Sequence, residues 1–479
     1  MSSNQLNGRK QKRIIFKLTH FQIFKLNIMS KQTYERPYIQ KLNTGTMNKF
    51  GTRTEFAPTT QIDGVPVKRI IAEHGSPCFV LSERTIRKTY QDTLRAFKTR
   101  YPKVQFAWSY KTNYLNAVCN IFHQEGSWAE VVSIFEYEKA IKNGVPGSKI
   151  IFNGPEKSKS DLKTAVENNS MIHIDHLDEL YELVDVVKSI NKKARVAIRV
   201  NMDTGVYPIW DRFGFNYENG QAWSAINKIM SHDELELVGL HCHIGTYMLS
   251  ANAYAIAAWK LCDLAKNIKD KWNKTIQYLD LGGGFCSANT LKGSYLQGAD
   301  VIPSMDDYAE AITSTILNFG FSKQDLPTLF LETGRALIDD AGYLLGSVVA
   351  TKRLSDGRRA TIMDFGVNLL FTAFWYNHKI SPAQEFSYHS EDMVVYGPLC
   401  MNIDCIRENI NLPLLNKNDH VVVHRVGAYN MTQWMQFIHM RPRIVLIDME
   451  GNLHVIKEQE TTESMNSLEL MPTHLEKIN

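Results

Sequence analysis

Between Val65 and Leu326, short apolar runs, often β-branched, alternate with segments of helical period. The runs are Pro77–Leu81, Phe106–Ser109, Ile150–Phe152, Met171–Ile174, Val196–Val200, Leu237–His243 and Tyr278–Leu281. The helical segments include Ile86–Thr99, Ser158–Asn168, Leu177–Ile190 and Ala251–Lys269. Alternation of this kind predicts a parallel sheet with right-handed crossovers, and its count and spacing suit a (β/α)8 TIM barrel over residues 65–326. Polar residues cluster just after the strands, where barrel enzymes place their chemistry.

Past Leu326 the texture changes. Ala341–Lys352, Ala360–Asp364, Asp392–Tyr396, His420–His424 and Arg443–Ile447 read as strands joined by turns. They predict a C-terminal all-β domain, sandwich-like or Greek-key-like, over residues 327–457, with Val65–Ile71 expected to add a strand. Residues 458–479 are polar and expected to be a flexible tail. Residues 1–34 hold no acid and seven lysines and arginines, from Arg9 to Lys31. That tail is expected to be disordered, and is either a targeting segment or a stretch preceding a start at Met29.

Composition adds bounds. A chain of 479 residues exceeds one compact core and predicts two domains. A net charge of +4 argues against a nucleic-acid partner, and no apolar run approaches a membrane span. The seven scattered cysteines form neither a disulfide framework nor a zinc pattern, which favours a reducing, cytoplasmic setting.

The candidate chemistry starts at Phe106-Ala-Trp-Ser-Tyr-Lys-Thr-Asn113. A lysine ending a buried strand is costly unless its amine has a partner or a reaction. Shielding is expected to lower the Lys111 pKa, and the free amine can then form a Schiff base. An exposed strand-end lysine is the alternative. In Leu240-His-Cys-His-Ile-Gly-Thr246, His243 could ligate a metal or lie against a planar ring. Alternation places His241 and His243 on one face, as in metal-dependent barrel hydrolases, but no further ligand set follows, so no metal is expected. His241 suits a core histidine better. Asp280-Leu-Gly-Gly-Gly-Phe285 reads as a phosphate cradle or a tight turn. In Leu331-Glu-Thr-Gly-Arg-Ala336 the guanidinium can take a phosphate and the carboxylate can hold a heterocyclic nitrogen protonated; a surface ion pair is the alternative. Cys400, after a Gly-Pro turn, is a proton donor or a small hydrophobe, and Tyr429 a ligand contact or a core tyrosine.

Together these stretches resemble the fold-type III pyridoxal-phosphate decarboxylases, the diaminopimelate and ornithine decarboxylase group. The resemblance spans Val65 to Ile447, with the motifs in the family's order. It implies a barrel binding pyridoxal 5'-phosphate, a β domain, and a homodimer with active sites at the interface. It implies that Lys111 forms the Schiff base and that His243 stacks on the pyridine ring. Gly282, Gly283, Gly284, Thr246 and Arg335 would hold the phosphate, Glu332 the ring nitrogen, and Tyr429 would contact the cofactor. Cys400 of the partner subunit would protonate the product. Ser133-Ile-Phe-Glu136 resembles the family's Ser…Glu segment, without an assigned role.

The departures concern the substrate. Met401 stands where the family carries Glu or Asp after the cysteine, and Thr372-Ala373 where diaminopimelate enzymes carry Arg-Pro. Losing a carboxylate and a guanidinium disfavours diaminopimelate. That leaves an amino acid or amino-acid conjugate, as in siderophore biosynthesis, met by Met401, Asp404 and Thr372. The alternatives are a diaminopimelate decarboxylase of lysine biosynthesis, a non-catalytic homologue, and a metal-dependent hydrolase.

Overall fold

Each strand of the first sheet turns one set of side chains toward helices and the other inward, and the two sets differ in chemistry. The computed structural model describes residues 57–294, 298–386 and 389–476; the basic tail lies outside them. Eight parallel strands, Val104–Ser109, Trp128–Val131, Ile150–Phe152, Met171–Ile174, Ala194–Asn201, Leu235–His241, Tyr278–Asp280 and Thr328–Thr333, form a ring. It closes where Thr328–Thr333 pairs with Val104–Ser109 and where Leu235–His241 pairs with Ala194–Asn201. Phe215–Asn216 adds a short pairing at the rim.

Alternation then dictates layers. Ala107, Ile151, Met171, Ala197, Tyr278 and Phe330 pack together as an apolar plug inside the ring. Two residues further along the same strands stand Ser109, Asn153, His173, Arg199, Asp280 and Glu332. One end of the barrel interior is therefore polar. The intervening residues, such as Phe106, Trp108, Ile172, Ile198 and Leu331, belong to the core under the helices.

The helices follow local signals. Ser158 caps Lys159–Glu167 through a capping box with Asp161. In Leu177–Ile190, Leu180, Leu183, Val184 and Val187 repeat at helical spacing and are buried, and Asn191 ends the helix at φ 50°. No helix among the described residues is long and apolar enough to cross a membrane.

The second sheet holds Gly342–Arg353, Arg359–Met363, Ile380–Pro382, Ser390–Tyr396, Cys405–Pro413, His420–His424, Ile444–Ile447 and Leu453–Lys457. Two expectations change here. Cys78–Ser82, read as a barrel strand, lies in this sheet, antiparallel to Gly342–Arg353 and parallel to Ile444–Ile447. All five of its residues are buried, so its pattern resembles a barrel strand; only its partners differ. Val65–Ile71 is not a strand of the β domain. Val65–Pro66 pairs with Gln61–Ile62, and Val67–His74 is a helix that buries Val67 and Ile70, one turn apart. The last barrel strand, Thr328–Thr333, also lies wholly past residue 326, the expected end of the barrel. Residues 461–476 are exposed and include the helix Thr462–Asn466.

Among the hydrogen bonds that tie the sheet domain to the barrel rim, three meet residues 111–113. Asn113 Nδ2 donates to Gly427 O at 3.0 Å, Tyr429 N to Thr112 O at 2.8 Å, and Thr432 Oγ1 to Lys111 O at 3.0 Å.

Candidate active site

Lys111 sits in the turn Tyr110–Thr112 that ends the first barrel strand. Its Nζ donates to both oxygens of Glu130, at 2.8 and 2.9 Å, from the next strand. Glu130 is fully buried and also accepts from Ser109 Oγ at 2.5 Å and Asn153 Nδ2 at 3.0 Å. Asn153 Nδ2 donates to Glu332 as well. Burial draws the Lys111 pKa down, but Glu130 and Glu332 outweigh it and hold the ammonium above its usual range. The expected lowering does not occur in this structure, because the lysine ends beside a buried carboxylate with both oxygens in reach of its Nζ.

His243 lies beyond its strand, which ends at His241, so strand alternation does not govern it. Gly283 N donates to His243 Nδ1 at 3.1 Å, which places the ring proton on Nε2. Burial, followed by Arg199, pushes the His243 pKa down to about 3. The glycine loop has no room for side chains. A Cβ on Gly283 would stand 2.4 Å from Glu332 O, and one on Gly284, at φ 91°, 2.3 Å from Gly245 O. Gly283 and Gly284 line the pocket.

Arg335 reaches the same pocket. Its guanidinium lies 4.6 Å over the Tyr429 ring and 5.4 Å over Tyr376, and its buried Nη1 has no partner. An unpaired buried guanidinium nitrogen beside an open glycine loop fits a phosphate. Tyr429 holds a left-handed φ of 66°, fixed by its hydrogen bond to Thr112. Lys111, His243, Thr246, Gly283, Gly284, Glu332, Arg335 and Tyr429 all line one cavity. Gly282 sits behind it, with its amide on Asp280 Oδ1 at 2.8 Å.

Four sequence candidates stand apart. Cys400 is exposed, and Met401 packs half-buried against the core. The Asp404 carboxylate is buried and takes the amides of Val367 and Leu399 at 2.8 and 2.7 Å. Thr372 is buried, its hydroxyl 2.7 Å from His378 Nε2 and 2.8 Å from Asn430 Oδ1. The Asp404 carboxylate and the Thr372 hydroxyl are thus both held by contacts within the fold. The residues missed are Glu130, Asn153, Trp210 and Gln433. Glu130 and Asn153 carry the parity of Lys111's inward neighbours and were legible that way. Trp210, 5.5 Å from the His243 ring, and Gln433 come from loops without a local signal.

The sequence also concealed a ligand-like set. His173, His241, Asp280 and Glu332, all buried, offer atoms within 4.8 Å of one another, whereas no such set was expected. Each comes from a different strand, so no spacing reveals it. His241 reaches the interior past a register shift between Leu237 and Gly239, and its ring lies 4.7 Å from that of His173. His243 is not in the set.

Residues 86–339 match the family described as pyridoxal-dependent decarboxylase, pyridoxal binding domain. The chain is 29% identical over 433 residues to diaminopimelate decarboxylase of Methanocaldococcus jannaschii, covering 86% of this chain and 95% of that one. It is 27% identical over 425 residues to the Bacillus subtilis diaminopimelate decarboxylase, with the same coverage. The crystal structure of the M. jannaschii protein superposes with a TM-score of 0.79 at 28% identity, covering 87% of this chain and 96% of that chain. A lysine/ornithine decarboxylase from Vibrio vulnificus shares the fold, with a TM-score of 0.67 at 21% identity over 81% of this chain and 98% of that one.

Proposed function

Since this chain belongs to the pyridoxal-dependent decarboxylases, we propose that its pocket holds pyridoxal 5'-phosphate and removes the α-carboxylate of an amino acid. When bound, the cofactor supplies the electron sink that carboxylate loss requires. The observation that carries the reading is the convergence of Lys111, Glu332 and the unpaired Arg335 guanidinium on one glycine-lined cavity. Lys111 would hold the cofactor through Nζ, with Glu130 placed to take the ammonium's proton. Arg335 and the amide of Gly284, with Thr246, would grip the phosphate, while Gly282 and Gly283 shape the loop and the Gly283 amide holds His243. His243, held neutral, would cover one ring face, and Glu332 would face the ring nitrogen. Tyr429 would fix Arg335 from the β domain.

Cys400 does not line the pocket of its own chain, which supports a homodimer in which each subunit lends its cysteine to the other. In such a dimer Met401, next to Cys400 in the chain, would join Trp210, Trp375 and Gln433 at the pocket. For the substrate, the case against diaminopimelate is not supported by the comparisons, in which relatives of similar length carry that name. Diaminopimelate therefore stands first in the panel to be tested, followed by lysine, ornithine, arginine and citryl-conjugated diamino acids of the siderophore type.

Purified protein loaded with the cofactor is incubated with that panel and analysed by mass spectrometry. A product lighter by one CO2 is expected from one member and identifies the substrate class. Lys111→Ala should lose both the visible absorbance of the bound cofactor and all turnover; an active variant would overturn the assignment.

A further inference from the structure

Below the pocket floor, two carboxyl groups share a space with no cation to serve both. Asp280 is fully buried and Glu332 nearly so, and their oxygens lie within the same 4.8 Å cluster. The neighbouring cations pair directly with other acids, Lys111 with Glu130 at 2.8 Å and Arg199 with Asp175 at 3.6 Å, and reach Glu332 only through space. The titratable groups facing Asp280 are Glu332, Glu130, His173, His241, Cys242 and Tyr278, and none supplies a positive charge. Burial holds both imidazoles well below their usual range, hence neutral.

Two adjacent buried carboxylates without a counter-ion do not both ionise. The hydrogen bonds show which one keeps the proton. Glu332 Oε1 takes the Asn153 amide and lies 3.2 Å from His241 Nε2. Asp280 Oδ1 accepts from Gly282 N, but Asp280 Oδ2 is buried and receives no donor. A buried oxygen without a donor is relieved by carrying the proton itself.

We propose that Asp280 is a positioning residue that works as a neutral acid, donating its proton to Glu332 and leaving Glu332 the single anion facing the cofactor's ring nitrogen. Burial, and then the Glu332 charge, raise the Asp280 pKa well above the usual carboxyl range, in agreement. A single negative charge facing the ring nitrogen favours the protonated form of that nitrogen. The same four residues could instead hold a divalent metal. Tetrahedral ligands on such an ion stand about 3.4 Å apart, given metal bonds near 2.1 Å. Here the candidate atoms lie within 4.8 Å of one another and Tyr278 OH holds His173 Nε2 at 2.9 Å, so metal binding is made one of the outcomes of the test.

The inference rests on the cofactor reading, and its test separates the two. An infrared difference spectrum of wild type against Asp280→Asn is recorded at pH 8, above the value of about 6 to which burial pushes Asp339. A protonated-carboxyl band present in wild type and lost in the variant is expected. Specific 13C labelling of aspartate in wild type shifts the same band, so the result does not depend on the variant folding. Asn keeps the acceptor for Gly282 and a donor for Glu332. Asp280→Asn should therefore bind pyridoxal phosphate as wild type does, with the same pH dependence of its absorbance. Asp280→Ala should bind about tenfold more weakly, the scale of one lost buried hydrogen bond. Absence of the band, or Asn as damaging as Ala, would overturn the neutral acid. So would stoichiometric metal in wild type after incubation with zinc alone, lost in His173→Ala. Wild type that shows the band but takes up no cofactor would instead count against the cofactor reading.

Discussion

The Lys111 ammonium and the Glu130 carboxylate form a two-pronged pair, 2.8 and 2.9 Å long, with the acid fully buried and the lysine open to the pocket. An opposite charge favours the charged form, so the pair raises the pH at which Nζ becomes a free nucleophile. Glu130→Gln removes that charge and keeps the shape. The pH midpoint for cofactor attachment to apo-protein, followed by visible absorbance, should fall by about 1 to 3 units. A midpoint that stays or rises would show that Glu130 does not control the amine.

Gly284→Ala puts a methyl group against Gly245 O at a backbone φ of 91°. Strain and overpacking together should destabilise the loop by about 1–3 kcal/mol. The cofactor dissociation constant should rise at least about tenfold; unaltered affinity would mean that the loop does not touch the phosphate.

Cys400 is exposed and absent from its own chain's pocket. If subunits share sites, equal mixing of inactive Lys111→Ala and Cys400→Ala proteins gives half heterodimers, each with one intact site of two. Activity should return to about one quarter of wild type. No recovery after demonstrated subunit exchange would exclude a shared site.

Thr372→Val removes a hydroxyl placed between His378 and Asn430. Leaving buried polar atoms unpaired should cost about 1–3 kcal/mol, read as a lower Tm, with KM unchanged. The reverse pattern would restore Thr372 as a substrate contact.

Glu136 follows the N-cap Ser133 of the helix Ile134–Lys142, and its carboxyl accepts Val132 N at 2.9 Å. Burial raises its pKa to about 7. The folded state therefore binds more protons than the unfolded chain between about pH 4.3 and that value, and stability falls as pH rises through this window. Glu136→Gln should stabilise the fold at pH 8, by on the order of 3 kcal/mol at most and read as a higher Tm, and leave the Tm nearly unchanged at pH 4. Equal Tm differences at both pH values would refute a buried proton. The helix start also gives the Ser133…Glu136 segment a structural role, which its sequence did not reveal.

Local patterns carried the fold far. Strand–helix alternation gave the barrel, and the Ser158 and Leu177 helix starts lie where caps and spacing put them. Cys78–Ser82 shows the limit: five buried apolar-strand positions suit either sheet, and only long-range pairing with Gly342–Arg353 and Ile444–Ile447 selects one. The site divides in the same way. Lys111, Asp280–Gly284, Glu332 and Arg335 were legible because their chemistry is held in contiguous motifs.

What the chain alone determined is the set of elements and the groups capable of holding an amine, a phosphate and a ring nitrogen. Closure of the barrel decided the rest. It placed Glu130 under Lys111, which reversed the direction of the lysine's pKa, and it brought His173, His241, Asp280 and Glu332 from four strands into one buried cluster. Charge interactions act through space over a few ångströms, so the protonation of a buried group depends on its neighbours across the sheet more than on its neighbours along the chain.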